Sequence, residues 1–247
     1  MRYHQVVFAA ALLLISVSAG ADGLPSHGDL RSALQDVVQE SNGGFGLNMW
    51  ATVVDRDGVV RAVVHSGEDR GDQWPGSRVI SAQKANTANA FSLPGLSVST
   101  ANLFYAVQPG GSLYGLQHSN PVNTDAAYGG DSNHIGKKSD PMVGKKIGGV
   151  NVFGGGLALY DKKGTLLGAV GVSGDSSCAD HNIAWKLRHA LKLDYIPGGV
   201  SPAGDDNIVN DIVNGTSATG WGHPDCAEAS TGIAAKLSET HPIRKKN

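Results

Sequence analysis

Apolar residues recur at helical spacing in three segments of the chain. The first segment follows Ser26, which has Asp29 three residues later as in a capping box. Its stripe is Leu30, Leu34, Val37 and Val38. The second spans residues 77–91, and the third begins at Ser177, which we expect to cap it with Asp180. The spacing predicts three amphipathic helices.

Shorter apolar runs predict five strands. They cover residues 47–54, 59–65, 149–153, 156–160 and 165–173. An Asp-x-x-Gly turn separates the first two strands, and the same pattern separates the last two. Because turns this short join antiparallel strands, the order predicts an α+β fold. We expect a single domain with a five-stranded antiparallel sheet flanked by helices.

Two long segments lie outside this pattern. Residues 92–146 are rich in Gly, Ser, Asn and Pro, and they are far longer than an ordinary connection of up to about 15 residues. Residues 195–247 again shift to Gly, Pro, Asn and Asp. We therefore predict a domain at residues 22–194 that carries a long functional loop, and a C-terminal arm, residues 195–247, packed on its core.

The first residues are typical of a secretory signal. Arg2 precedes an apolar run, and small residues end at Ala21, so residues 1–21 are a predicted signal peptide. No later segment reaches the roughly 18 apolar residues of a membrane helix. The sequence therefore predicts a periplasmic or secreted protein without membrane insertion.

The charge balance and the cysteine content of the chain limit the classes of partner and cofactor that it is expected to bind. The chain has 20 basic and 22 acidic residues, a balance that offers no broad basic surface for nucleic acid. A small-molecule ligand or another protein is the expected partner. The two cysteines, Cys178 and Cys226, predict one disulfide in an oxidising compartment. The chain lacks CxxCH, which excludes standard covalent attachment of c-type haem.

Several known functional motifs are absent, incomplete or in the wrong structural context. The glycines from Gly154 onward lie between or within strands, whereas nucleotide-binding glycines join a strand to a crossover helix. Ser81-Ala-Gln-Lys84 matches SxxK, but the companion triplets of penicillin-recognising enzymes are missing. HExxH and paired-cysteine zinc spacings do not occur. Glycines inside strands more often mark bulges or the close approach of a backbone or flat ligand.

Three histidines have neighbours that suggest chemistry. His118 and His134 lie in the long loop, with Tyr105 and Tyr114 near His118. His181 is in the first turn of the third helix and shares a face with Trp185 and Arg188. That face suits a flat aromatic anion, but it equally suits the docking of the arm. The tyrosines could likewise simply pack the loop onto the sheet.

Lys84 is the odd member of an apolar stripe. A lone ammonium there is costly unless its side chain reaches solvent or meets an anion. Both possibilities remain open from the sequence, and the second makes Lys84 a candidate for binding a carboxylate.

Taken together, these segments resemble the GlcG/HbpS-like haem-binding protein family, which is related to the PduO C-terminal domain. The resemblance rests on the segments "NMWATVVDRDGVV", "SRVISAQKANTANAF", "STANLFYAVQPGGSLYGLQHSNPV" and above all "GVNVFGGGLALYDKKGTLLGAVGVSGD". "HNIAW" and "GWGHPDC" are similar to an exported subset with a C-terminal extension. The resemblance covers about residues 30–191.

The resemblance implies a profilin-like subunit, homo-oligomers and ligand clefts near subunit contacts. It transfers a ligand-binding role to motif positions Lys84, Gly154, Gly155 and Gly174, and it supplies no universal iron ligand. The long arm departs from compact members and could cover the site that they use.

The leading hypothesis is an exported protein that binds haem b non-covalently, with haem sensing, transport or degradation as its possible purposes. His118, His134 and His181 are the candidate iron ligands, and Lys84 or Arg188 would face the propionates. One alternative is a cofactor-free lyase or isomerase that uses Lys84 to clamp a small carboxylate. Another is an oligomeric interaction partner of a membrane sensor.

Overall fold

The predicted apolar stripes pack on the two faces of one antiparallel sheet in the computed structural model, which describes residues 23–245. The predicted signal peptide, residues 1–21, lies outside the described residues. None of the helices within residues 23–245 is long and apolar enough to span a bilayer.

The three predicted helices are present. α1 spans His27–Val38, α2 spans Ser77–Phe91 and α5 spans Ser177–Ala190. The long loop contains α3 (Leu116–Ser119), α4 (Thr124–Tyr128) and the 3₁₀ turns Thr100–Leu103, Tyr105–Val107 and Ser132–His134. The arm contributes α6 (Glu228–Ala234) and α7 (Leu237–Thr240).

The main sheet has four strands, so the prediction of five is wrong. Its strands are β1 (Trp50–Asp55), β2 (Val60–His65), β3 (Gly156–Tyr160) and β4 (Leu166–Ser173), in the antiparallel order β2-β1-β4-β3. A two-stranded ribbon in the arm pairs β5 (Ile212–Val213) with β6 (Thr216–Ser217).

Residues 149–153 do not form the predicted fifth strand. Gly148 and Gly149 have φ values of 64° and 79°, which interrupt an extended backbone. The amide of Asn151 then donates to the Thr87 hydroxyl of α2 rather than to a strand. Val150 and Val152 are buried in a side cluster with residues of the long loop. The apolar run is therefore a packed connection.

Alternating side chains of β1 build a core on each face of the sheet. Ala51 and Val53 pack with α1 and α5 in one cluster. Trp50 and Val54 pack with the alanines of α2 in the other. The small alanines Ala82, Ala85 and Ala88, all fully buried, let α2 approach the sheet closely.

The start of α5 differs from the prediction by one residue. Ser176, not Ser177, is the N-cap and accepts the Ala179 amide. Ser177 Oγ instead accepts the Gly154 amide and lies 2.8 Å from His223 Nε2. The cap prediction failed because adjacent serines offer the same chemistry, and only the chain entry angle selects between them.

Candidate functional site

The predicted ligand face of α5 is covered by the arm. Trp185 Nε1 donates to the carbonyl oxygen of His241 at 2.9 Å. Arg188 forms a two-point ion pair with Asp206 at 2.6 and 2.7 Å, and both side chains are fully buried. The arm-docking alternative from the sequence therefore describes these contacts, and the Arg188 guanidinium faces a carboxylate of its own chain.

His181 is held by the same arm. Its Nε2 lies 3.1 Å from the Ile208 amide and 3.2 Å from Asn207 Oδ1, and the ring is fully buried. Burial lowers the pKa of His181 to about 4, so the imidazole is neutral at pH 7. Its Nδ1 has no hydrogen-bond partner among residues 23–245. His181 lies under the arm and lines none of the cavities described below.

The Lys84 ammonium pairs with a carboxylate of its own chain. Its Nζ lies 2.6 Å from Asp180 Oδ2 and donates to the Val172 carbonyl at 3.0 Å. Burial raises the pKa of Asp180 to about 6 and lowers that of Lys84, because each ion loses hydration that its partner only partly replaces. The Lys84 ammonium is therefore engaged by the chain itself, and nothing in the geometry favours the carboxylate-clamp enzyme.

The glycines transferred from the family resemblance make room for the protein's own backbone. A Cβ at Gly155, where φ is +114°, would collide with the Val172 carbonyl oxygen. A Cβ at Gly154 would collide with the Ser177 carbonyl, and one at Gly174 would lie 2.7 Å from the Asn48 carbonyl. Of the two alternatives from the sequence, these glycines therefore allow the close approach of backbone rather than of a flat ligand.

The aromatic and histidine candidates of the long loop are separated. Tyr105 lines a cavity of about 350 Å³ with Phe104, Pro109, Ile212 and Pro224. Tyr114 is 62% exposed, and His118 is exposed in α3. Neither Tyr114 nor His118 lines that cavity, so the loop does not bring this predicted group together.

A different opening lies at the β1–β2 end of the sheet. Two adjoining cavities of about 250 and 340 Å³ share Asp69, Arg70 and Ile135 as lining residues. We call them together the β2 crevice. Their other walls are His65, Glu68, Asn133 and Lys137 in one cavity, and Trp50, Gly71, Pro75, Arg78, Val79, Tyr128 and Ser132 in the other. This size is within the range of small-molecule sites.

His65 is the chemically distinctive residue of the β2 crevice. Its Nδ1 lies 3.0 Å from the Gly67 carbonyl oxygen, which can only accept, so the proton is on Nδ1. Nε2 therefore carries a lone pair, and it has no hydrogen-bond partner among residues 23–245. Burial lowers the pKa of His65 and keeps the ring neutral. A neutral, oriented imidazole of this kind is a ready metal ligand.

Neighbouring residues hold the His65 ring in one orientation. The ring packs edge-on against Trp50, with centroids 5.1 Å apart. Gly136 approaches the Cδ2–Nε2 edge so closely that a Cβ there would strike the ring. Gly136 is itself held by His27, which lies 2.9 Å from its carbonyl oxygen. These contacts fix the ring plane.

The rim of the β2 crevice carries both signs of charge. Arg70 and Lys137 are exposed, as are Glu68 and Asp69. Arg78 also lines the wall, but its guanidinium is paired with the buried carboxylate of Asp140. Arg70 Nη1 donates to the Ser132 carbonyl, so Lys137 and the remaining N–H groups of Arg70 are the cations that can face an anionic ligand.

His134 is the one predicted histidine that lies beside the β2 crevice. It is exposed in the turn Ser132–His134, and its neighbours Asn133 and Ile135 line the two cavities. The sequence interpretation missed His65 because a single histidine ending a strand resembles many structural histidines. The available signal was its position after Val63 on the face of β2 that α2 covers.

A larger cavity, about 740 Å³, lies between the end of α1 and the helices of the arm. Lys186, which lines it, already contacts Ser41, Asn42 and Glu40. His241 also lines this cavity, with its Nδ1 3.0 Å from the Thr240 hydroxyl. Lys186 and His241 are thus engaged by their own chain, unlike His65 Nε2.

The chain is therefore an α+β protein with a single main sheet and a histidine-bearing crevice. It belongs to the HbpS-like family, described as haem degrading protein HbpS-like, whose model matches residues 26–188. A curated relative is the corrinoid adenosyltransferase PduO of Citrobacter freundii, 31% identical over 137 residues, or 55% of this chain. The aligned part is 32% of that relative's length, so the chain spans about a third of it.

The chain is also similar to several solved structures. A PduOC:heme complex is 26% identical with a TM-score of 0.45, covering 66% of this chain and 89% of that one. Klebsiella pneumoniae protein ORFY is 23% identical with a TM-score of 0.45, covering 76% and 97%. HbpS is 15% identical with a TM-score of 0.41, covering 73% and 96%.

Proposed function

We propose that this protein binds haem non-covalently in the β2 crevice, with His65 as a ligand of the iron. The observation that carries the proposal is His65 Nε2, which has no hydrogen-bond partner among residues 23–245 and belongs to a ring that lines a polar cavity adjoining a more apolar one. Membership of a haem-related family supports the choice of haem. The absence of CxxCH from the sequence favours haem b.

The walls of the β2 crevice fit the other parts of haem. Trp50, Val79, Tyr128 and Ile135 supply apolar and aromatic surface for the macrocycle. Arg70 and Lys137 on the rim suit the propionates. His134, next to two lining residues, is the candidate for a second ligand. Histidine-ligated haem would bring electron transfer or binding of small molecules at the iron.

A haemin titration followed by the Soret band tests this proposal. Wild type should give a shifted band that saturates at one haem per chain. His65→Ala should weaken binding at least tenfold, whereas His118→Ala should leave it unchanged. Since His65 is buried, Tyr128→Ala provides a second test: this side chain is 67% exposed, so its removal should weaken haem binding without unfolding the chain.

The comparison between histidines decides the location of the site. Loss of binding in His118→Ala or His181→Ala, with His65→Ala retaining wild-type affinity, would overturn the β2 crevice. A spectrum identical to haemin mixed with an unrelated protein would overturn haem binding altogether.

Export is a separate part of the proposal. The predicted signal peptide supports processing after Ala21 and a periplasmic or secreted location, and the Cys178–Cys226 disulfide is consistent with an oxidising compartment. N-terminal sequencing of protein from fractionated cells tests it, and an intact Met1 on soluble protein would contradict it. Assembly into homo-oligomers also stays a prediction, to be measured by light scattering.

A further inference from the structure

We propose that Cys178, His223 and Cys226 form a site for a thiophilic cation such as Zn²⁺ once their disulfide is reduced. The two sulfur atoms and a ring nitrogen of His223 lie within 4.8 Å of one another. Zinc binds thiolates at about 2.3 Å and imidazoles at about 2.0–2.1 Å, so small side-chain movements would bring all three to one ion. The cluster is separate from the β2 crevice.

His223 is already oriented as a metal ligand. Its Nδ1 lies 2.7 Å from the Pro224 carbonyl oxygen, which holds the proton on that nitrogen. Nε2 therefore carries the lone pair, and it currently accepts from Ser177 Oγ at 2.8 Å. The ring is buried and packs against Phe104, with centroids 5.0 Å apart. Metal-binding histidines commonly have a carbonyl partner on the other nitrogen.

The sequence spacing supports the same site. His223-Pro-Asp-Cys226 places two ligands with two residues between them, a separation frequent in zinc sites, and Cys178 supplies the third from the first turn of α5. Two cysteines and one histidine leave a fourth position, which water or the nearby Ser177 hydroxyl can fill.

Access to the disulfide is from the Cys226 side. Cys226 is exposed, whereas Cys178 is buried. A dithiol reductant would attack Cys226 Sγ as a thiolate and form a mixed disulfide, and Cys178 would leave as a thiolate in the first turn of α5, where the helix favours negative charge. The second reductant thiol then releases Cys226, so the reductant becomes a disulfide and the chain gains two thiols. Metal binding displaces their protons.

Cobalt and zinc titrations of the full chain test the site. Protein reduced with dithiothreitol and desalted without oxygen should bind one Co²⁺, with thiolate-to-metal charge transfer and the strong d–d bands of a tetrahedral ion. Zn²⁺ should displace the cobalt, and the oxidised chain should bind neither. Cys178→Ser combined with Cys226→Ser should abolish binding.

Variants of His223 separate the three-ligand site from a pair of thiols. His223→Ala should weaken cobalt affinity at least tenfold, His223→Cys should restore it, and the arm control His241→Ala should bind like wild type. Near-UV circular dichroism reports whether each reduced chain stays folded. The proposal is overturned if reduced wild type binds no more tightly than the double serine variant, if His223→Ala has no effect, or if the reduced chain binds equally well in denaturant.

Discussion

The ion pair that fastens the arm to α5 allows a quantitative test of the fold. Arg188 and Asp206 are both fully buried, and Ser97 Oγ donates to the same carboxylate at 2.6 Å. Burial alone would raise the pKa of Asp206, but the Arg188 charge and hydrogen bonds outweigh it and hold that pKa below its usual range. Asp206→Asn keeps the shape of the side chain and removes its charge.

The expected loss in the free energy of unfolding is about 3–5 kcal/mol, because the substitution leaves the Arg188 guanidinium buried without a counter-ion. Domains are stable by only about 5–15 kcal/mol, so this is a large share of the total. Urea unfolding followed by circular dichroism measures it. The matched control is Asp225→Asn, an exposed arm position, which should change stability by about 0.5 kcal/mol or less.

A double-mutant cycle isolates the pair itself. Arg188→Met and Asp206→Leu should each destabilise strongly, and the double variant should lose at least about 2 kcal/mol less than the sum of the two. The reasoning is refuted if Asp206→Asn stays within about 1 kcal/mol of wild type, if the control loses as much, or if the cycle is additive.

Three further predictions concern stability in urea. Replacing both cysteines by serine should cost about 4 kcal/mol, since the bridge closes a loop with a sequence separation of 48; a loss below about 1 kcal/mol would contradict this. Lowering the pH from about 7.5 to about 5 should cost at least ~3 kcal/mol: His181 and His223 have pKa values lowered to about 4 and each lose about 2 kcal/mol, while Asp180, raised to about 6, gains a proton and returns about 1. The pKa of His65 is also lowered, so this histidine adds to the loss. His223→Gln should remove about 2 kcal/mol of that dependence, and an unchanged pH profile would refute the assignment. Gly155→Ala should cost about 2–4 kcal/mol because of its positive φ and the Val172 carbonyl, whereas Gly95→Ala, with open space around it, should be nearly neutral.

Much of the secondary structure was predictable because periodicity is local information. The stripe of residues 77–91 predicted α2 with its observed bounds, and the Asp-x-x-Gly turns predicted the two hairpins. The prediction failed at residues 149–153, where hydrophobicity alone indicated a strand. There the φ values of Gly148 and Gly149 decided the outcome, and an apolar run does not encode them.

The site was less predictable because its contacts join distant residues. The sequence indicated that the Lys84 ammonium must reach solvent or an anion. Its partner Asp180 comes 96 residues later and was considered only as a helix cap. The Cys178–Cys226 disulfide was predicted and is present. It could be predicted because a chain with two cysteines allows one intramolecular pairing. His65 was missed because its role depends on tertiary contacts. The Gly67 carbonyl holds the proton on Nδ1, which leaves a lone pair on Nε2, and Gly136 packs against the ring.

A buried polar group is a candidate for ligand binding when it is unpaired, oriented and next to open space, and these criteria divide the molecule. Lys84 and Trp185 fail the first, because Asp180 and His241 already pair with them. Arg188 binds Asp206 through both Nη atoms; its Nε has no partner among residues 23–245, but the side chain is fully buried and lines none of the cavities described above. These contacts lie around α5, and Arg188 also reaches the Ala158 carbonyl of β3, at one edge of the sheet. His65 is on β2, at the opposite edge, and meets all three criteria. Asp180 of α5 pairs with Lys84, and the arm pairs with Trp185 and Arg188, whereas the β2 crevice at the other edge stays open.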